Sequence, residues 1–419
     1  MSTSVSSNSP VHGGLSEPVN RLVAVERAAD FSQLFPIAVN QVDRTTLYRI
    51  ADGTLSPLEG PMGEADYRSC LEKCAIERNG KSWAWTIPIV LPVTEAEAQH
   101  LTSGAEIALT FEGEAFGKLE VDSVFEWDKQ AFIEGVYGTS RTDHPGARLW
   151  TEDPRKHLVG GRISLVPFED DRPFAGRVMS PIHTRKMLEE NGYEQSVAFQ
   201  TRNPLHRAHE YALVYGAEVV LRSTGKKTGV MLNPLVGQLK GDDVPAATRM
   251  DTYEALAEGR FLGQGDMDED LWKSKNQDLN DQLHLIGLDI RMYYGGPREA
   301  VMHAIYRQNL GFTHFIVGRK HADAPFDDKS AIWGDFDAQE IFTNLGGELA
   351  IQTTNVGFAA YFEEIGRVGL IADNKGNTIV NISGTEMREI LGNGEMPDDR
   401  VMRSCTAKIL VDFYATKKS

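Results

Sequence analysis

The chain has 419 residues, with 60 Asp and Glu against 43 Lys and Arg, a formal net charge of -17 at pH 7. A hydrophobic fraction of 41% and a charged fraction of 25% exclude a disordered or fibrous chain and describe a globular protein long enough for two or three domains. The acidity excludes a protein whose main task is to coat nucleic acid, but not one that holds a phosphate ligand in a local cluster of donors. Three cysteines, Cys70, Cys74 and Cys405, are too few for a disulfide scaffold, and the first two lack the further ligands of a zinc site. No apolar run is long enough to span a bilayer, and the opening MSTSVSSNSP lacks the basic and apolar regions of a secretory signal. A cytoplasmic location with no membrane partner is expected.

Residues 1–20, rich in Ser, Asn, Gly and Pro, are expected to form a mobile tail. A first, β-rich region follows over 21–173. Strands are expected at 82–90, 106–111 and 117–124, with a hairpin turn at Glu112-Gly113, and helices at 62–79 and 94–102. Trp83 and Trp85 alternate along the first of these strands, so one of them is expected in the core. The charged stretch 169–173 marks the boundary. Over 174–350, strands at 196–200, 228–232, 288–294 and 314–317 alternate with helices from Pro204 onward, at 247–259 and at 298–310, the pattern of a parallel sheet covered on both faces. The acidic stretch 262–281 reads as a solvated insertion. Asp266, Asp268 and Asp270 open like a calcium loop, but Leu271 and Gln277 stand where its glycine and bidentate glutamate belong. A final piece, 351–419, holds helices at 384–391 and 402–414.

The most informative string is Gln200-Thr201-Arg202-Asn203-Pro204-Leu205-His206-Arg207-Ala208-His209-Glu210. It follows a buried strand. Asn203 is a good N-cap and Pro204 suits the first helical position, so a helix N-terminus is expected at the carboxyl end of a parallel strand, where such sheets bind ligands. His206 and His209, three apart, share a helix face, and Arg202 adds a fixed charge. Donors gathered at a helix N-terminus make an anion site suited to a phosphate chain.

The whole string QTRNPxHxxHE resembles the signature of the sulfate adenylyltransferase (ATP sulfurylase) family, and its HxxH part marks the wider nucleotidylyltransferase superfamily. Further blocks follow in order. Asn233-Pro234-Leu235-Val236-Gly237 with Lys240-Gly241-Asp242-Asp243 resembles PLVG…KxDD. Gly295-Gly296-Pro297-Arg298-Glu299-Ala300 resembles GPREA, and Gly318-Arg319-Lys320-His321-Ala322 resembles GRDHAG. Asp337-Ala338-Gln339-Glu340 and Ile382-Ser383-Gly384-Thr385 with Arg388 resemble DAQE and ISGTxxR. Ser56-Pro57-Leu58-Glu59-Gly60 and His144-Pro145-Gly146 resemble landmarks of the first region. The resemblance implies an α/β protein: a PUA-like N-terminal domain, a Rossmann-like nucleotidylyltransferase domain and a small C-terminal α/β subdomain.

It also implies ATP and sulfate as substrates, magnesium arriving with ATP rather than in a carboxylate cage, and a homo-oligomer. Arg202, aided by the backbone near Ala322, would hold sulfate. Gln200, Thr201, Asn203, His206 and His209 would contact nucleotide and phosphates, Gly318, Arg319, Lys320 and His321 would line the nucleotide side, and Ala359 would lie against adenine. Ser383 and Thr385 would cap the terminal phosphate. Two positions depart from the pattern: Lys320 and Asp323 stand where the family has Asp and Gly, and a compensating Lys320–Asp323 pair is the expectation. These departures leave open a different oxyanion or phosphorylated acceptor, and the PUA-like fold leaves open an RNA-binding module. No GxxxxGK[ST] string occurs, so no fused kinase of the usual type is expected. His303 reads as structural, and Asp242 and Asp243 as loop residues.

Overall fold

The computed structural model describes residues 8–237 and 244–418. Lys240, Gly241, Asp242 and Asp243 lie outside the described residues. The first region carries β1 (Phe35–Ala38), β2 (Ala75–Arg78), β3 (Lys81–Ala84), β4 (Leu91–Val93), β5 (Glu106–Phe111), β6 (Glu114–Glu126) and β7 (His157–Leu165). Five of them form a sheet in the order β1-β5-β6-β7-β4, parallel at β1–β5 and antiparallel elsewhere, while β2 and β3 pair by themselves. The hairpin turn falls at Glu112 and Gly113 as expected, both at positive φ.

Three expected elements stop early, the helix expected over 94–102 ending at Ala98. The helix expected to reach residue 79 ends at Lys73, because Cys74 takes a left-handed conformation and the chain turns into β2. The strand expected over 82–90 ends at Ala84, ahead of Pro88, which has no N–H for a ladder. Because the strand ends between them, Trp83 and Trp85 are both buried rather than one.

The expected tail is also corrected over its described part. Val11 and His12 are buried. The His12 N–H donates to Asn309 Oδ1 at 3.0 Å, and its Nε2 lies 2.9 Å from the Ala84 carbonyl. Asn309, itself buried, donates to the carbonyls of Thr54 and Ser56. Residues 8–12 thus satisfy polar groups of a helix almost three hundred positions later, which a composition of small polar residues does not reveal.

The second region carries β8 (Gln195–Phe199), β9 (Thr228–Leu232), β10 (Leu283–Leu285), β11 (His314–Val317) and β12 (Gln352–Asn355), all parallel, in the order β10-β9-β8-β11-β12. The chain winds one way from β8 to β10 and then crosses to the other side of β8. The crevice at the carboxyl ends of β8 and β11 is therefore the topological switch point, where open α/β sheets bind ligands. The helices Arg207–Thr224, Ala246–Glu258 and Gly296–Asn309 cover the sheet. β12 carries the sheet past the expected boundary at 350.

The strand expected at 288–294 is absent. Leu288 makes one isolated bridge with Leu235, and the segment then runs out to the first region. Tyr293 accepts a hydrogen bond from Tyr137 and the Arg291 guanidinium lies 4.2 Å from the Trp150 ring centroid. Its alternating side chains fill a seam between regions rather than one face of a sheet. One continuous core, from Ile37 and Trp85 through Tyr137 to Ile305 and Phe315, includes side chains from both regions.

β13 (Ala359–Phe362), β14 (Arg367–Leu370) and β15 (Ile379–Val380) form a small antiparallel sheet, followed by the helices Gly384–Gly392 and Ser404–Lys418. The acidic stretch 262–281 is not a solvated insertion. Leu262, Asp266, Trp272 and Leu279 are buried. Asp266 pairs with Arg207 at 2.6 Å and with Arg403 at 3.8 Å and accepts from the Val368 N–H. Asp268 caps a short helix, Glu269–Ser274, instead of opening a calcium loop.

Candidate active site

The chain leaves β8 at Phe199 and does not enter a helix at Pro204. The Thr201 hydroxyl accepts from the Asn203 N–H at 3.1 Å, and Tyr253 donates to the Asn203 carbonyl at 2.8 Å. This side-chain turn holds 201–206 as a loop. The helix starts at Arg207, with His206 as its N-cap residue. The His206 and His209 rings stack, with centroids 3.7 Å apart and planes at 23°. Burial lowers the His206 pKa to about 4, and burial together with the His206 neighbour holds His209 well below the ordinary imidazole value. Both are therefore neutral hydrogen-bond donors at pH 7, rather than cations.

That neutrality has a stability cost in acid. As pH falls from the ordinary 6.5 toward 4, the unfolded chain protonates this histidine before the folded one does. The His206 contribution is complete above pH 6.5 and is lost on approach to 4. Thermal melts between pH 7 and 4.5 are expected to show Tm falling with pH, with a slope shallower by about one proton in His206→Asn. An unchanged slope would place His206 in solvent.

The second loop leaves β11 at Val317. Lys320 and Ala322 both adopt positive φ, which folds Gly318, Arg319, Lys320, His321 and Ala322 back toward the first loop. The Arg319 guanidinium lies 3.9 Å from the Phe358 ring centroid, so Ala359, the next residue and the first of β13, stands beside it. The Ala322 carbonyl accepts from the Gly296 N–H at 3.1 Å. His144, of the first region, bonds through Nε2 to the Ala324 carbonyl at 3.0 Å. Gln339 donates to the carbonyls of Val317 and Val356, tying the ends of β11 and β12 together. The DAQE and HPG landmarks thus brace the loop.

Arg202 lies over the Tyr294 ring at 5.3 Å, and its charge bears on Glu299, His321 and Asp323. Residues 202 and 321–323 are therefore neighbours. Tyr294 also lines a cavity of about 670 Å³ in the seam between the regions. The expected Lys320–Asp323 pair is corrected: Lys320 Nζ lies 3.5 Å from Asp335, whose other carboxylate oxygen is 3.9 Å from Arg319. Burial raises the Asp323 pKa, opposed by the Ala324 N–H and by the charges of Lys320 and Arg202. Ser383 caps the helix Gly384–Gly392 through the Glu386 N–H, Thr385 is exposed, and neither hydrogen-bonds to the two loops.

Four buried side-chain atoms of the two loops and the helix start have no protein partner: Gln200 Oε1, Arg202 Nη1, His209 Nδ1 and Asp323 Oδ1. Buried polar groups are normally satisfied, so these four are open to a polar ligand. The residues missed from sequence are those behind the loops. Glu299 and His303 stand one helical turn apart on the helix Gly296–Asn309, a spacing visible in the string itself. Tyr294 and Asp266 carried no local signal.

The family model described as ATP-sulfurylase matches residues 176–413, and one described as PUA-like domain matches residues 9–167. The chain belongs to the ATP-sulfurylase family. Within that family it is 66% identical over 413 residues to the sulfate adenylyltransferase of Pyropia yezoensis, covering 98% of each chain. It is 35% identical over 407 residues to that of Symbiobacterium thermophilum, covering 96% of this chain and 95% of the other. The fold of this ATP-sulfurylase family member is shared with the hexameric APS kinase from Thiobacillus denitrificans, at a TM-score of 0.70 and 17% identity over 96% of this chain and 68% of that one.

Proposed function

We propose that the chain catalyses sulfate adenylyl transfer at the junction of the β8 and β11 loops. A sulfate oxygen forms a bond to the α-phosphorus of MgATP as the bond to the bridging oxygen breaks, and the electron pair leaves with pyrophosphate. Sulfate is already fully ionised, so no general base is needed, and the work is positioning two anions in line and stabilising the leaving group. The observation that carries the reading is the convergence of Gln200, Arg202 and His209, each with an unpaired buried polar atom, at the switch point of the parallel sheet.

In this reading Arg202 and the backbone at Ala322 hold sulfate. His206 and His209 donate as neutral imidazoles to the phosphate chain, with Thr201 and Asn203 beside them. Gln200, Gly318, Arg319, Lys320 and His321 line the nucleotide, and Ala359 contacts adenine through its backbone. Ser383 and Thr385 belong to this set by motif alone. Magnesium enters bound to ATP. A homo-oligomer is also part of the reading, tested by light scattering. So is a cytoplasmic location, which the three free cysteines suit. Among the described residues no helix is long and apolar enough to cross a membrane.

An acceptor other than sulfate keeps Lys320 and Asp323 as its support, and comparing sulfate, selenate, molybdate and phosphomonoesters decides it. An RNA-binding role is not favoured, since whole-length relatives carry the name sulfate adenylyltransferase. The direct test is sulfate-dependent pyrophosphate release from MgATP; its absence in the wild type overturns the assignment. In the same assay Asp323→Gly is expected to lower the KM for sulfate about three- to tenfold, because a half-buried carboxylate beside Arg202 competes with the anion. Lys320→Asp, which alters a half-exposed pair with Asp335, is expected to change that KM by less than about twofold. A higher KM in Asp323→Gly would mean that the carboxylate helps to organise the sulfate site.

A further inference from the structure

Residues 293–296 join the seam segment to the helix Gly296–Asn309. Tyr294 is left-handed there, at φ 54°, a conformation that a bulky side chain keeps only where its surroundings impose it. They impose it from three sides. The fully buried Glu299 carboxylate accepts the N–H groups of Tyr293 and Gly295, one on each oxygen and both at 2.9 Å. Tyr137, of the first region, donates to the Tyr293 carbonyl at 2.9 Å. Gly296 follows at positive φ against the Trp333 ring, which an added Cβ would approach to 2.4 Å.

This junction touches both groups read as holding sulfate. The Arg202 guanidinium lies 5.3 Å from the centroid of the Tyr294 ring, and its buried Nη1 has no protein partner. The Gly296 N–H donates to the Ala322 carbonyl at 3.1 Å, while the Ala322 N–H makes no hydrogen bond among the described residues. A side chain of the β8 loop and a peptide of the β11 loop thus rest on neighbouring residues of one short segment. Tyr294 also lines the cavity of about 670 Å³, so a smaller side chain there leaves the guanidinium room to move away from the anion.

We propose that Tyr294 and Glu299 are positioning residues for the sulfate site. Glu299 holds the junction, the junction presents the Tyr294 ring and the Gly296 N–H, and these two set the spacing between the Arg202 guanidinium and the Ala322 backbone. The proposal rests on the reading of Arg202 and Ala322 as the groups that hold sulfate. A tetrahedral dianion gripped by donors on two loops is bound well only at the right separation of those loops, which neither loop fixes by itself. An aromatic face suits the task, because a guanidinium lying on it keeps its plane and leaves its N–H fork for the anion.

The test is a double-mutant cycle on the full chain, read by initial rates over a sulfate titration with MgATP binding measured separately. Tyr294→Leu makes the same backbone demand without the ring. It is expected to lower kcat/KM for sulfate about three- to thirtyfold and to change MgATP affinity by less than about twofold. Tyr294→Phe keeps the ring and is expected to stay within about twofold of the wild type. In the Arg202→Ala background Tyr294→Leu is expected to cost less than about twofold more, since no guanidinium is left to place. Glu299→Gln keeps the shape but turns an amide NH₂ toward one of the two backbone N–H groups. It is expected to lower kcat/KM for sulfate by more than about threefold at unchanged MgATP affinity; where it does not fold, the Tyr294 cycle decides. Full additivity in the cycle, a loss in Tyr294→Phe as large as in Tyr294→Leu, equal losses for sulfate and MgATP, or tighter sulfate saturation in Glu299→Gln overturns the proposal. Unchanged sulfate saturation in Arg202→Ala overturns the underlying assignment instead.

Discussion

Arg202→Ala is expected to lower kcat/KM for sulfate by about 10²–10³-fold, while MgATP affinity changes by less than about threefold. The size follows from the position of the guanidinium. It rests on the Tyr294 ring and one of its buried nitrogens has no protein partner. A dianion brought into such a site loses its hydration and recovers it only through charged donors, so removing the fork leaves it uncompensated, a cost of about 3–4 kcal/mol. Arg202→Lys is expected to restore a minor part of the loss, since an ammonium neither stacks as a plane on Tyr294 nor donates as a fork. Initial rates of pyrophosphate release over a sulfate titration, with separate measurement of MgATP binding, check both statements. Unchanged sulfate saturation with lost MgATP binding would move the guanidinium to the nucleotide.

Asp266→Asn is expected to destabilise the fold by about 3–5 kcal/mol, far more than a surface carboxylate. Asp266 is buried among Arg207, Arg403 and, across Arg403, Glu210, which lies 2.7 Å from that guanidinium. The two carboxylates and two guanidiniums balance, and removing one charge leaves another buried and unpaired. The Arg207 N–H also donates to the Val401 carbonyl. The network therefore fastens residues 401–403 onto the first turn of the helix that carries His209. Denaturant midpoints and a double-mutant cycle with Arg403→Gln measure the coupling. A loss below about 1 kcal/mol in the single variant would show that the cluster is solvated. A drop in kcat that survives where the variant is fully folded would show that the network also orients the histidine pair.

The strands β9 and β11 were legible because short apolar runs between turn residues leave one reading, and the two site loops because their motifs follow such strands. Other features depended on partners distant in sequence. Asp266 reads as solvated because its cationic partners are Arg207 and Arg403, 59 and 137 positions away. The alternation at 288–294 is the same whether a sheet or a seam receives it. Asn203 and Pro204 have the chemistry of a helix start, and only the Thr201 hydroxyl and Tyr253, together holding Asn203, displace that start to Arg207. His303 looked structural because nothing near it in sequence shows that His321, eighteen residues on, lies 2.9 Å from its ring.

The core that passes from Trp85 and Tyr137 into Ile305 and Phe315 bears on how this chain is divisible. The two family matches meet between residues 167 and 176, an inviting place to cut a gene. A cut there would lay bare on each fragment the apolar side chains that the other covers, and would strip Asn309 of the carbonyls of Thr54 and Ser56. The modules recognisable as two would reach the ribosome's exit as one folding task, with the N-terminal half, made first, waiting on the second for part of its interior.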